Sequence, residues 1–188
     1  MTSPGLLPDE RIIGLALAFE KAHVPYAMAG AIGLVYWAEP RGTIDIDFNV
    51  FIAAEEAKTL FPALHELGVR LDDAEAERQV LATGQIRLDW SGVPLGLFFS
   101  YDHFHDSVRS RVRIVDFLGH SFPVISAEDL VVFKVLFNRP RDWADIEQVL
   151  ATRAPDFDIA YARTWLTPAP GEGDSALSRL EALAASYL

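Results

Sequence analysis

Asp45 and Asp47 stand two residues apart in the run Thr43-Ile44-Asp45-Ile46-Asp47-Phe48-Asn49-Val50, which alternates polar and apolar side chains. Alternation of period two is the pattern of a half-buried strand, so Thr43, Asp45, Asp47 and Asn49 share one face and Ile44, Ile46, Phe48 and Val50 the other. Two carboxylates projecting the same way repel at neutral pH unless a cation lies in front of them. The pair suits a hard divalent ion that keeps positions open for water and phosphate oxygens. Upstream, Tyr26-Ala27-Met28-Ala29 reads as a short strand, Gly30 as a turn and Ala31 to Trp37 as a helix. Such a junction points backbone N–H groups at an anion. Taken alone, an acidic strand face is more often a wet sheet surface, and a strand-glycine-helix junction is common. Their succession in one stretch points to nucleotide chemistry.

Gly30-Ala31, followed by Pro40-Arg41-Gly42-Thr43-Ile44-Asp45-Ile46-Asp47, resembles the signature of the polymerase-beta-like nucleotidyltransferase superfamily. That signature is a Gly-Gly or Gly-Ser turn, a short helix, then Arg-x-(Ser/Thr)-x-Asp-x-Asp. Within it the chain resembles the small prokaryotic branch related to toxins of AbiE-type abortive-infection and toxin–antitoxin systems. The likeness spans roughly residues 24–150 and includes the block from Pro123 to Lys134 and the segment Arg141-Asp142-Trp143-Ala144-Asp145-Ile146.

The resemblance implies transfer of a nucleoside monophosphate from an NTP to an acceptor hydroxyl of RNA, protein or a small molecule. It implies Mg²⁺ or Mn²⁺ on Asp45 and Asp47. Gly30, Ala31, Arg41, Thr43 and Lys134 would meet the nucleotide, and an antitoxin is an implied partner. A third carboxylate is expected near Gly96, where none stands. Asp89 is the first substitute, as metal ligand and base, and Asp102 the second. The gap at Gly96 keeps open a nucleotidyltransferase-like protein without catalysis that binds a nucleotide or a partner. A third reading is an antibiotic adenylyltransferase, because an acidic protein suits a cationic acceptor.

The remaining elements must position these groups. Pro8-Asp9-Glu10 starts a first helix that His23-Val24-Pro25 ends, with His23 read as a surface cap. Ala53 to Leu67 reads as one helix, Gly68 to Leu71 as a strand, and Asp72 to Glu77 as solvated loop or helix start. Gln85 to Trp90 and Pro94 to Phe99 form a hairpin through Ser91-Gly92. Tyr101 to Asp106 reads as a loop, although His103 and His105 beside Asp102 and Asp106 could hold a metal if extended. Arg109, Arg111 and Arg113 form a basic stripe on one face of a strand, either screened surface charge or an acceptor contact. Val112 to Leu118 and Ser121 to Val124 make a second hairpin.

Ser126 caps a helix carrying Lys134, which either snorkels or faces the nucleotide. Asn138-Arg139-Pro140 breaks that helix, and Asp142 and Asp145 on the next are capping acids or positioners of Lys134. Ala160 to Leu166 and Ser175 to Leu188 are helical, separated by a breaker from Thr167 to Asp174.

With 188 residues, 51% hydrophobic and 23% charged, the chain is a globular protein with a sizeable core. The expected fold is α/β (α+β): a small mixed or antiparallel sheet flanked by helices. Residues 1–125 would form the core and 126–188 a helical part packed on it as one domain. Cysteine is absent, which excludes disulfides and thiolate metal sites. No apolar run reaches membrane-span length and no basic-then-apolar leader is seen, so a cytoplasmic protein is expected. Sixteen basic against 27 acidic residues give a net charge of −11, which argues against an extended nucleic-acid surface.

Overall fold

Alternating burial along the strands divides the protein into two faces. A computed structural model describes residues 8–167 and 175–187. Six strands form one mixed sheet: β1 (Tyr26–Met28), β2 (Ile46–Ala53), β3 (Gln85–Trp90), β4 (Val93–Ser100), β5 (Arg113–Phe117) and β6 (His120–Val124), in the order β3-β4-β2-β1-β6-β5. β2 runs parallel to β4 and β1 parallel to β6, while the other neighbours are antiparallel.

Ile46, Phe48 and Val50 of β2 and Leu95, Leu97 and Phe99 of β4 enter one apolar core with α1 (Pro8–Lys21), α3 (Phe61–Glu66) and α4 (Asp73–Thr83). Phe19 and Phe48 meet edge to face there, with ring centroids 5.5 Å apart. The opposite face carries α2 (Gly30–Leu34), α5 (His103–Arg111), α6 (Ala127–Phe137), α7 (Pro140–Arg153), α8 (Ile159–Leu166) and α9 (Ser175–Ala184) around a second core that includes Leu34, Val108, Val131 and Ile146. Asp47 and Asn49 point to this second side. Only small residues, Ala27 and Ala29, flank them there on β1 and its end.

Several elements differ from the sequence expectation. β2 begins at Ile46, because the Asp45 N–H is taken by Thr43 Oγ1 at 3.1 Å and Ile44 is exposed. The helix after Gly30 ends at Leu34, and residues 35–37 continue as turns. The single helix expected over Ala53 to Leu67 is a 3-10 turn, Ala54–Thr59, followed by α3, with Pro62 in the first turn of α3, where its missing N–H costs nothing. Gly68 to Leu71 is an unpaired connection rather than a strand, turned by Gly68 at φ 78°. Asp72 is the cap of α4, accepting from Glu75 N–H at 2.9 Å. The loop expected at Tyr101 to Asp106 instead opens α5, with Asp102 as its cap. The expected breaker lies, apart from Thr167, outside the described residues.

Candidate active site

Between the second sheet face and α6 lies a cavity of about 320 Å³ that opens on Gly30, Asp45, Asp47, Gly96 and Lys134. The sheet register builds its floor in two rows. Asp47 pairs with Gly96 and Gly96 with Arg87, and one step deeper Asn49 pairs with Phe98 and Phe98 with Gln85. Of the sequence-predicted residues, Gly30, Ala31, Arg41, Thr43, Asp45, Asp47 and Lys134 all line this cavity.

Asp47 is wedged between two glycines. A Cβ on Gly30 would stand 2.1 Å from Asp47 Oδ2, and one on Gly96 2.5 Å from Asp47 Oδ1. Gly30 also holds φ at 58°, a conformation that favours glycine. These two positions are small because the carboxylate fills the space a side chain would need.

Lys134 is buried at the cavity wall and donates to Asp145 Oδ2 at 2.6 Å, with Asp142 Oδ1 3.6 Å away. Arg41 clamps the same Asp145 through Nε at 2.7 Å and Nη2 at 2.9 Å. Arg139 clamps Asp142 through Nε at 2.6 Å and Nη2 at 3.1 Å, and its guanidinium carbon sits 5.0 Å from the Phe137 ring centroid. Asp142 thus both caps α7, accepting from Arg139 N–H, and holds a cation. Asp145 holds two. Burial alone would raise the Asp145 carboxyl, but hydrogen bonds from Arg41 and Lys134 outweigh it and hold the group below the usual carboxylate range.

Asp47 moves the other way. Burial pushes its carboxyl above the ordinary value and the Asp45 charge adds to the effect, against the pull of Arg87, Arg139 and Lys134. A carboxylate pair strained in this way fits a hard divalent cation as donor set, with Asp45 and Asp47 as the protein ligands and phosphate oxygens and water in the other positions. Among the described residues no group of three or more His, Asp or Glu is arranged to hold a metal.

The structure separates Asp89 from this pair. Its carboxylate accepts from Gly92 N–H at 3.0 Å at the β3–β4 turn, outside the cavity. Arg87, on the same strand face, is the residue that reaches in, 3.3 Å from Asp45 Oδ1. Asp102, the second substitute, is tied up on His105 Nδ1 at 2.7 Å. Arg87 was legible in the same alternation as Asp89. Arg139 had a signal in its spacing to Asp142, and Asn49 was already assigned to the Asp face.

The other sequence candidates go elsewhere. His103 is exposed, whereas His105 is buried against Tyr101, their ring centroids 4.4 Å apart. The basic stripe is divided, because Arg109 and Arg111 lie on α5 and Arg113 on β5. Arg111 stacks 3.8 Å above the Tyr161 ring and donates to Glu128 at 2.8 Å, joining α5, α6 and α8.

No protein-family model matches the chain. No curated protein matches it in sequence. Solved structures do match. The solution structure of the antibiotic-resistance factor ANT(2'')-Ia aligns over 96% of this chain and 92% of its own at 14% identity, with a TM-score of 0.54. This chain shares that fold. The crystal structure of ANT(2")-Ia with adenylyl-2"-tobramycin covers 95% of each chain at 13% identity and TM-score 0.53. The lincomycin-bound lincosamide antibiotic adenylyltransferase LnuA covers 74% of this chain and 95% of its own at 14% identity and TM-score 0.50. At these identities the likeness concerns the fold, and the AbiE-type branch receives no support from it.

Proposed function

We propose that this protein transfers a nucleoside monophosphate from an NTP to an acceptor oxygen and releases pyrophosphate. The observation that carries the reading is the convergence of Asp45 and Asp47, the Gly30 turn, Lys134 and Arg139 on one cavity. Gly30 and Ala31 lie in the first turn of α2, and their N–H groups would meet phosphate oxygens. Lys134 and Arg139, fixed by Asp145 and Asp142, neutralise charge that builds on the phosphates as the bond to the leaving group lengthens. Arg41 acts from the cavity rim while anchored to α7. Mg²⁺ or Mn²⁺ on Asp45 and Asp47 would offset the charge of the triphosphate and orient it when bound.

A small-molecule acceptor is supported by the fold shared with the lincosamide antibiotic adenylyltransferase LnuA and with ANT(2")-Ia, which was solved with adenylyl-2"-tobramycin. A toxin controlled by an antitoxin would use the same chemistry on a cellular target in the cytoplasm. Among the described residues no helix is long and apolar enough to cross a membrane. Growth arrest on expression, relieved by Asp45→Asn, would favour the toxin; survival on an antibiotic would favour the small molecule.

The experiment is a calorimetric titration with each NTP, with and without Mg²⁺, in wild type and Asp45→Asn. Metal-dependent binding that the variant loses supports the transferase. Absence of NTP binding under every condition would overturn the transferase reading.

A further inference from the structure

Asp47 divides the cavity. One oxygen lies against Gly30 and the other against Gly96. α2 and α6 are neighbours on the Gly30 side, which brings Lys134 with them. Past Gly96 the floor belongs to Arg87, Gln85 and Phe98, and Gln79 of α4 joins them. If the nucleotide phosphates occupy the first half, the acceptor occupies the second.

Beyond Asp45 and Asp47, which the transferase reading gives to the metal, that second half holds no group among the described lining residues able to take a proton from a hydroxyl. Among the described lining residues the only carboxylates are Asp45 and Asp47, and no histidine lines the cavity. Asp89 is turned onto Gly92 N–H. A carboxylate at position 96 would collide with Asp47, since even a Cβ there comes within 2.5 Å of Asp47 Oδ1. Where a base would act stands the Arg87 guanidinium, a hydrogen-bond donor with no acceptor atom. Its hold on Asp45 is a long 3.3 Å contact from a side chain more than half exposed, so it is free to turn to a ligand.

A second observation lies one row deeper. Asn49 is only 2% exposed, lines the cavity, and its Nδ2 has no hydrogen-bond partner. A buried donor left unmatched is unfavourable unless a ligand oxygen satisfies it. Gln79, Gln85, Asn49 and Arg87 together present donors to the cavity beside Phe98.

We infer that the acceptor attacks with an oxygen that is already anionic at neutral pH, that of a phosphomonoester or a carboxylate, and that Arg87 seats this group. The inference rests on the transferase reading above. A lone pair of the acceptor oxyanion attacks the α-phosphorus, the bond from that phosphorus to the α–β bridging oxygen breaks, and pyrophosphate leaves with the electron pair. No proton is moved, so no general base is needed. The product is a phosphoric anhydride from a phosphomonoester or an acyl phosphate from a carboxylate. The cluster of Arg41, Arg87, Lys134, Arg139 and Arg141 around the cavity of a protein of net charge −11 agrees with two anionic substrates.

The test loads the protein with Mg²⁺ and the α,β-methylene analogue of whichever NTP binds. Inorganic phosphate, acetate and, as a cationic hydroxyl compound, kanamycin are then titrated by calorimetry into wild type, Arg87→Gln and Arg87→Lys. An anion that binds the loaded wild type, binds Arg87→Gln at least tenfold more weakly and recovers in part with Arg87→Lys supports the inference. Phosphate preferred over acetate identifies the phosphomonoester, and the reverse the carboxylate. Kanamycin binding alone, or anion binding that Arg87→Gln leaves unchanged, overturns it while the transferase reading stands. Failure of every NTP to bind overturns both.

Discussion

Lys134 Nζ lies 2.6 Å from Asp145 Oδ2, and the same carboxylate receives both Nε and Nη2 of Arg41. One buried acid therefore fixes a cation on a helix and a cation on the loop before β2, both of which line the cavity.

Asp145→Ala removes the partner of both. Lys134, its side chain 6% exposed, would be left with Asp142 at 3.6 Å. A loss of about 3–5 kcal/mol is expected in urea unfolding, the usual cost of orphaning a buried charge. Lys134→Met is expected to cost only about 1 kcal/mol, because Asp145 keeps Arg41 and Asp142 keeps Arg139, while transfer activity disappears. If the two variants lost equal stability, Lys134 would be a structural group rather than a phosphate contact.

The same acid sets part of the pH dependence. Its carboxyl is held below the ordinary range in the folded protein by Arg41 and Lys134, against the effect of burial. Its contribution to stability is present above the unfolded value of about 3.9 and is lost as pH falls through the lower folded value. Thermal unfolding followed from neutral pH into the acid range should fall less steeply in Asp145→Asn than in wild type, from a lower starting point.

Asp47→Asn should part stability from function. Burial and the Asp45 charge disfavour the carboxylate in the fold, so an uncharged amide of the same shape is expected to add about 1 kcal/mol at neutral pH. For a chain of this size that is a rise of about 2–4 °C in Tm. Added Mg²⁺ should raise Tm further in wild type with NTP but not in the variant. A fall in Tm at neutral pH would mean that the carboxylate makes a stabilising contact that Asn cannot.

Gly30→Ala tests the wedge. The left-handed φ alone costs about 1–2 kcal/mol, and the new methyl must displace Asp47, so NTP binding should be lost with a clear drop in Tm. Gly42→Ala on the neighbouring loop meets nothing within 4 Å and should stay within about 0.5 kcal/mol of wild type. Equal losses at the two positions would refute the close approach at Gly30.

The strand pattern could be read from the residues themselves. Period-two alternation in Thr43 to Val50 and in Gln85 to Trp90 is a local property, and it placed Asp45 and Asp47 on one face of a strand, while the sheet expected to be mixed or antiparallel is mixed only by its long-range pairing. Boundaries failed where side chains capture the backbone, as Asp102 does for α5 and Thr43 for the start of β2. The choice between Asp89 and Arg87 was different in kind. Both lie on one face of one strand, and only the pairing of β3 with β4 and of β4 with β2 places Arg87 level with Gly96 and Asp47 while leaving Asp89 at the turn. Likewise Asp145 could be a cap or a clamp by sequence. Its tie to Arg41, 104 positions away, exists only once α7 is packed beside the loop that precedes β2. Local periodicity thus determined which residues share a face. Long-range register and helix docking decided which of them meet, because those distances depend on strands and helices far apart in the chain.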